Sequence, residues 1–155
     1  MSSTELSIED LAAIAAPQIV VEPPGPRACA IVERDHRVTS PSLPRVYPFA
    51  PRRGSGSVIE DVDGNLFLDL NAGIAVNATG HSHPAVVKAI QQQAQELLHY
   101  SAADFYLPIY SDVCQRLDEI SPFSVPSRAC LTNSGTEAVE AALKLARYVT
   151  GKHNV

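Results

Sequence analysis

Apolar and polar positions change rhythm several times along this chain, and each change marks an element. From Ser57 to Leu70 (SVIEDVDGNLFLDL) they alternate around Asp63-Gly64. A period of two predicts half-buried strands, and Asp-Gly between them predicts a tight primed turn, because that pair tolerates positive φ. Val58, Leu66 and Leu68 form the expected buried face. The period then lengthens. Val86, Ile90, Ala94 and Leu97 make one stripe of a helix that starts near His83-Pro84, proline being tolerated in a first turn. Ile109, Val113, Leu117 and Ile120 predict a second helix over 107–120, broken near Pro122 and Pro126. Ala129 to Asn133 (ACLTN) predicts a short buried strand running into a third helix. That helix is alanine-rich, carries Val139, Leu143 and Ala146 on one stripe, and stops at Gly151.

The N-terminal part is less regular. Residues 5–15 suit a short amphipathic helix, capped by Ser7 with Glu9 and Asp10 in its first turn and ended by Pro17. Ile19 to Pro26 reads as an extended, proline-rich strap, and 28–37 as another short helix. Thr39 to Pro51 holds four of the 12 prolines and is expected to be irregular. Asn71 to Pro84 (NAGIAVNATGHSHP) is a loop of small residues. No internal repeat or low-complexity tract interrupts this order.

Composition narrows the class. The chain has 155 residues, 45% hydrophobic and 19% charged, as in an ordinary soluble domain with a real core. Its formal net charge is -5 with scattered basic residues, which argues against a nucleic-acid partner. Arg52-Arg53 reads as a pair of solvated loop arginines. Cys29, Cys114 and Cys130 are too few and too widely spaced for a disulfide framework or a zinc set, so a reducing, cytoplasmic setting is expected. The N-terminus lacks the pattern of a secretory signal, and no apolar run approaches the length of a membrane span.

The junction Asn133-Ser134-Gly135-Thr136-Glu137 carries the chemistry. A helix N-terminus offers unpaired amides and the positive end of the macrodipole. A glycine lets a phosphate come close, and the Ser134 and Thr136 hydroxyls add donors, so the junction suits a phosphomonoester. No lysine follows in the Walker A pattern, which argues against a nucleoside triphosphate. Ser134-x-x-Glu137 is equally a capping box, and a capped helix still presents its remaining amides to a ligand. Other residues read as structural. His81 and His83 lack a third ligand and order the loop; no metal is expected. Glu137 is a cap, and Glu140 pairs with Lys144 one turn on. Asp61, Asp63 and Asp69 fit no calcium loop and are assigned to the hairpin. Cys130 is expected as a buried core thiol.

Two stretches point to a family. LTNSGTEAVEAALKLAR (Leu131 to Arg147) resembles the phosphate-cup helix of the class III (ω-)aminotransferases. DVDGNLFLDLNAGIAVNATGHSHPAVVKAI (Asp61 to Ile90) resembles their N-terminal hairpin, substrate-entrance loop and following helix. The two occur in the family's order, and PPGPRACAIVERDHRVTSPSLPRVYP is most similar to the 4-aminobutyrate and acetylornithine aminotransferase-like branch. The resemblance covers about residues 26–155. It implies an α/β chain: an N-terminal segment plus the start of the large cofactor domain of a fold-type I (aspartate aminotransferase-like) enzyme, with an incomplete sheet. It divides the chain into a tail and strap (1–26), a segment with hairpin and active-site loop (27–100), and the beginning of the large domain (101–155).

The same resemblance implies pyridoxal 5'-phosphate (PLP) as cofactor, held by Gly135 and Thr136 with help from Ser134. It places Ile74 in the substrate pocket and Thr79-Gly80-His81 near a dimer interface and the active-site mouth. The partners it implies are an amine or ω-amino acid and a 2-oxo acid, with a homodimer or higher oligomer when full length. No catalytic residue falls within the chain. The family's cofactor-anchoring lysine lies downstream of Val155, and Lys88, Lys144 and Lys152 match no such motif. Transamination by the intact enzyme, with the fragment inactive alone, is the expected function. A racemase of the same family and a non-catalytic binding remnant are the alternatives.

Overall fold

The computed structural model describes residues 7–154, which fall into two units divided between Glu96 and Leu97. In the first, α1 (Ile8–Leu11) is capped by Ser7, whose Oγ accepts from the Asp10 amide at 3.1 Å. The described part of this helix is shorter than the expected 5–15 and ends well before Pro17; residues 1–6 lie outside the described range. Helix α2 (Pro26–Val38) begins with Pro26 at its first position, where the missing N–H costs nothing. Three antiparallel strands follow in the order β1 (Pro51–Ser55), β2 (Val58–Asp61), β3 (Leu66–Leu68).

The hairpin appears where the alternation placed it, with a different turn. Only Gly64 has positive φ (91°) among its loop residues, the Gly64 amide bonds the Asp61 carbonyl, and the Asp61 amide bonds the Asn65 carbonyl. These features describe a three-residue loop with its glycine in the left-handed position, where a primed two-residue turn was expected. The added residue lets the tip fold its polar side chains inward. The Asp61 carboxylate accepts from the Asp63 and Asn65 amides and from the Asn65 side-chain amide, all at 2.8–2.9 Å. Asn65 is fully buried, and its Oδ1 accepts from the Val20 and Val21 amides, tying the extended strap to the hairpin. Asp63 reaches outward and caps α2, accepting from the Arg27 and Ala28 amides at 2.9 Å. The Asp63 carboxyl crowds Gly25, where an added Cβ would lie 2.4 Å from its Cγ.

The apolar core beside this knot is small. Leu11, Val58 and Leu66 are buried together, with Ile14 and Ala16 packed against them. Leu68 is paired with Val58 and shares its face but is half exposed, outside the buried cluster.

Strand β1 escapes the alternation rule. It is an edge strand that begins with proline, and a bulge between Pro51 and Arg53 breaks its register. Arg52 and Arg53 are strand residues that converge on the buried Glu60, which corrects the expected loop; Arg52 stays exposed as expected, and Arg53 is partly buried. Arg53 Nε and Nη2 donate to Glu60 Oε2 at 2.8 and 2.6 Å, and Arg52 Nη1 donates to Oε1 at 3.2 Å. A buried carboxylate needs such partners. Helix α4 (Pro84–Glu96) closes this unit, its Val86 and Ile90 exposed.

The second unit holds α5 (Pro108–Glu119) and α6 (Gly135–Thr150); the predicted α5 stripe stays exposed, and on α6 Val139 is exposed while Leu143 is half-buried. Glu140 and Lys144 pair at 3.5 Å. Residues 129–133 form no strand and Cys130 is exposed, which corrects both expectations. A strand exists only beside a pairing neighbour, and no described residues pair with this stretch. The segment is tethered by Asp118, whose carboxylate accepts from the Ser127 amide and hydroxyl. Those bonds, the amide first, hold the Asp118 carboxyl below the usual carboxylate range.

Asp63→Ala should cost about 1 kcal/mol by uncapping α2, and Asn65→Ala about 1–3 kcal/mol by stranding the strap amides, both read as urea-unfolding midpoints. Because its folded value is depressed, the Asp118 tether contributes fully above about pH 4 and is lost as pH falls through that lowered value. Asp118→Asn should abolish this acid-side loss; an unchanged acid profile would contradict the tether.

Candidate functional site

Ser134, Gly135 and Thr136 sit together at the exposed start of α6. The expected capping box forms with a shift of one residue: Ser134 Oγ accepts from the Glu137 amide at 3.2 Å, while Glu137 Oε2 reaches past the cap residue and accepts from the Asn133 amide at 2.8 Å. The first helical bond runs from the Ala138 amide to the Ser134 carbonyl. The amides of Gly135 and Thr136 therefore remain without an acceptor among the described residues. Ser134 uses its oxygen as an acceptor and keeps a hydroxyl proton to donate. A Cβ added at Gly135 would meet nothing within 4 Å. Two outward amides, two hydroxyls, a helix dipole and open space over a glycine fit a phosphate group.

Ile74 belongs to the other unit and is described by itself. It lies in α3 (Ala72–Ala75), a single turn wound left-handed. Ala72, Gly73, Ile74 and Ala75 have φ of 48, 64, 65 and 59°. The Ala75 amide bonds the Asn71 carbonyl, and the Val76 and Asn77 amides bond the Ala72 carbonyl, at 2.9–3.0 Å. Each non-glycine residue in this conformation costs roughly 1–2 kcal/mol, so the turn needs outside support. The Ile74 side chain is 81% exposed.

Support comes from Asp69 and His81. Asp69 Oδ1 accepts from the Asn71 and Ala72 amides at 2.8 and 2.9 Å, and its Oδ2 lies 2.6 Å from His81 Nε2. Asn77 Nδ2 lies 2.8 Å from His81 Nδ1. An amide NH₂ facing Nδ1 makes that nitrogen the acceptor, which places the ring proton on Nε2, aimed at Asp69. The His81 bond, then the two amides, hold the Asp69 carboxyl below the usual carboxylate range. His81 is fixed in turn by a two-way backbone bridge to Gly56, and its ring fills the place a Cβ on Gly54 would need.

Asp69 stands at the end of the hairpin, as expected, with its amide bonded to the Ser57 carbonyl, and its side chain adds a clamp on the loop. Sequence reasoning missed its role; the available signal was a carboxylate two residues before Asn71, the spacing of an Asx turn. Among the described residues no group of three or more His, Cys, Asp or Glu can hold a metal ion, and no helix is long and apolar enough to cross a membrane.

The sequence model of the Aminotransferase class-III family matches residues 40–155. The chain is 40% identical to an alanine/serine racemase of Pyrococcus horikoshii over 86% of its own length and 28% of that protein. It is 41% identical to a 4-aminobutyrate aminotransferase of Mycobacterium tuberculosis over 87% of its own length and 30% of that enzyme. A crystal structure of an omega-transaminase from Sphaerobacter thermophilus superposes with a TM-score of 0.75 at 31% identity, covering 86% of this chain and 31% of that one. The chain thus spans about 30% of the length of these relatives. Family members are PLP enzymes of fold type I. With the family's sequence model matched over residues 40–155, most of its length, this chain belongs to the class III aminotransferases.

Proposed function

We propose that this chain supplies the N-terminal part of a PLP-dependent transaminase that exchanges an amino group between an amine or ω-amino acid and a 2-oxo acid, in the manner of 4-aminobutyrate aminotransferases. The observation that carries the reading is the capped yet open start of α6, with the Gly135 and Thr136 amides outward and unclaimed among the described residues. These amides and the Thr136 hydroxyl would donate to the cofactor phosphate, with the Ser134 hydroxyl assisting. The dipole of a 16-residue helix adds to the attraction. Bound there, PLP supplies the electron sink that lets a proton leave the carbon carrying the amino group.

Ile74 would contribute an apolar face to the substrate wall, narrowing it around the donor's side chain. Lys144 is committed to Glu140, and neither Lys88 nor Lys152 follows the family's motif. On this reading the anchoring and proton-moving lysine belongs to the part of the relatives that this chain does not span. The complete enzyme is taken to be a homodimer or higher oligomer, as the family resemblance implies, in the reducing, cytoplasmic setting that the sparse cysteines suggest.

A racemase is the second reading, favoured by the 40% identity to the Pyrococcus horikoshii protein. A single amino-acid enantiomer incubated without a 2-oxo acid separates the two: inversion marks the racemase.

The intact mass of the polypeptide from its source cells comes first. A mass well above 16.6 kDa is expected, and one near it overturns the enzyme reading in favour of a binding module. In the native polypeptide, Thr136→Val should weaken PLP binding about ten-fold or more, the loss of one hydrogen bond to a charged group. Gly135→Asp, which places a carboxylate in the open space, should abolish it. Titration by cofactor absorbance reads both, and wild-type affinity in the two variants contradicts the site.

A further inference from the structure

We propose that Asp69 and His81 are positioning residues that keep the α3 turn wound left-handed, and that the wound turn sets where Ile74 stands against the amine donor. The inference rests on the transaminase reading for Ile74 and goes beyond it, by assigning donor selectivity to a clamp that touches neither donor nor cofactor phosphate. Three observations converge. Three of the four turn residues are not glycine, and one is the β-branched Ile74, so nothing intrinsic to Ala-Gly-Ile-Ala favours this hand. The amides entering the turn, Asn71 and Ala72, both end on Asp69 Oδ1, and its exit is held through Asn77 to the His81 ring. The clamp is also anchored independently of the turn. The Asp69 amide bonds the Ser57 carbonyl at 2.8 Å, and His81 bridges Gly56, so both residues are fixed to the strand connection between β1 and β2.

Loss of the clamp should let α3 relax toward ordinary right-handed or extended backbone. That change swings the Ile74 side chain to a different side of the chain path and alters the space left for the donor. A substitution at Ile74 changes only the size of the wall, whereas a substitution at Asp69 changes its position.

The experiment uses the native polypeptide and reads two quantities. The first is amide hydrogen exchange at Ala75, Val76 and Asn77, which donate into the turn. The second is the ratio of kcat/KM for a compact and a bulky amine donor. Asp69→Ala should speed exchange at these amides at least ten-fold and shift the donor ratio at least five-fold, mainly through KM. Adding Ala72→Gly and Ala75→Gly, which makes positive φ inexpensive, should recover at least half of both effects on a logarithmic scale. A general loss of folding would not respond to glycine at those two positions. Where Asp69→Ala does not fold, His81→Gln replaces it, since the backbone bridge to Gly56 survives that change. Unchanged exchange, a fixed donor ratio despite faster exchange, or no recovery with glycine each overturns the proposal. Should the wild-type protein transfer no amino group, the transaminase reading fails by itself, and exchange with the glycine rescue still decides whether the clamp holds the turn.

Discussion

The side-chain amide of Asn65 holds the first unit together. Its oxygen takes the Val20 and Val21 amides from the strap, and its nitrogen is taken by Asp61, the residue that closes the hairpin loop. The apolar core beside it is too small to order so much irregular chain, and Asp63 on the same tip adds the cap of α2. A strap and a helix, 35 to 45 residues distant in sequence from their partners, thus converge on a five-residue turn. Such a polar knot is stable only when complete, because each buried donor or acceptor left over costs more than a bond gains. Among the described residues no buried side-chain nitrogen or oxygen lacks a partner.

From this anchored tip, β3 delivers Asp69 to a fixed place, and the loop around α3 is built from there. The logic is the same on a smaller scale: one carboxylate satisfies two backbone amides and one imidazole, and irregular backbone becomes a defined shape. Strain in α3 is held by contacts reaching back to the β1–β2 connection, so the shape of the loop follows from the hairpin. The start of α6 works in the opposite manner. Its cap satisfies Asn133 and Glu137 and leaves the next amides open, which is what a site for an anion requires.

Much of this could be read from residue order. The alternation around Asp63-Gly64 located the hairpin, the 3.6-residue stripes located α4, α5 and α6, and Ser134-x-x-Glu137 located the cap. Strand β1 was hidden because proline, two arginines and a glycine carry no alternation, and its bulge turns both arginines toward Glu60. The left-handed α3 was hidden for a related reason: its conformation is imposed by Asp69 and His81, and local propensity favours the opposite hand. Residues 129–133 erred the other way. They have the composition of a strand, but pairing is a property of neighbours, and none is described beside them.

The claim at the centre of this account is that the open α6 terminus receives the cofactor phosphate. A crystal structure of the native polypeptide reconstituted with PLP tests it most directly. The account predicts phosphate oxygens within hydrogen-bonding distance of the Gly135 and Thr136 amides and the Thr136 hydroxyl. A phosphate seated elsewhere, with those two amides still facing solvent while cofactor is bound, would contradict it.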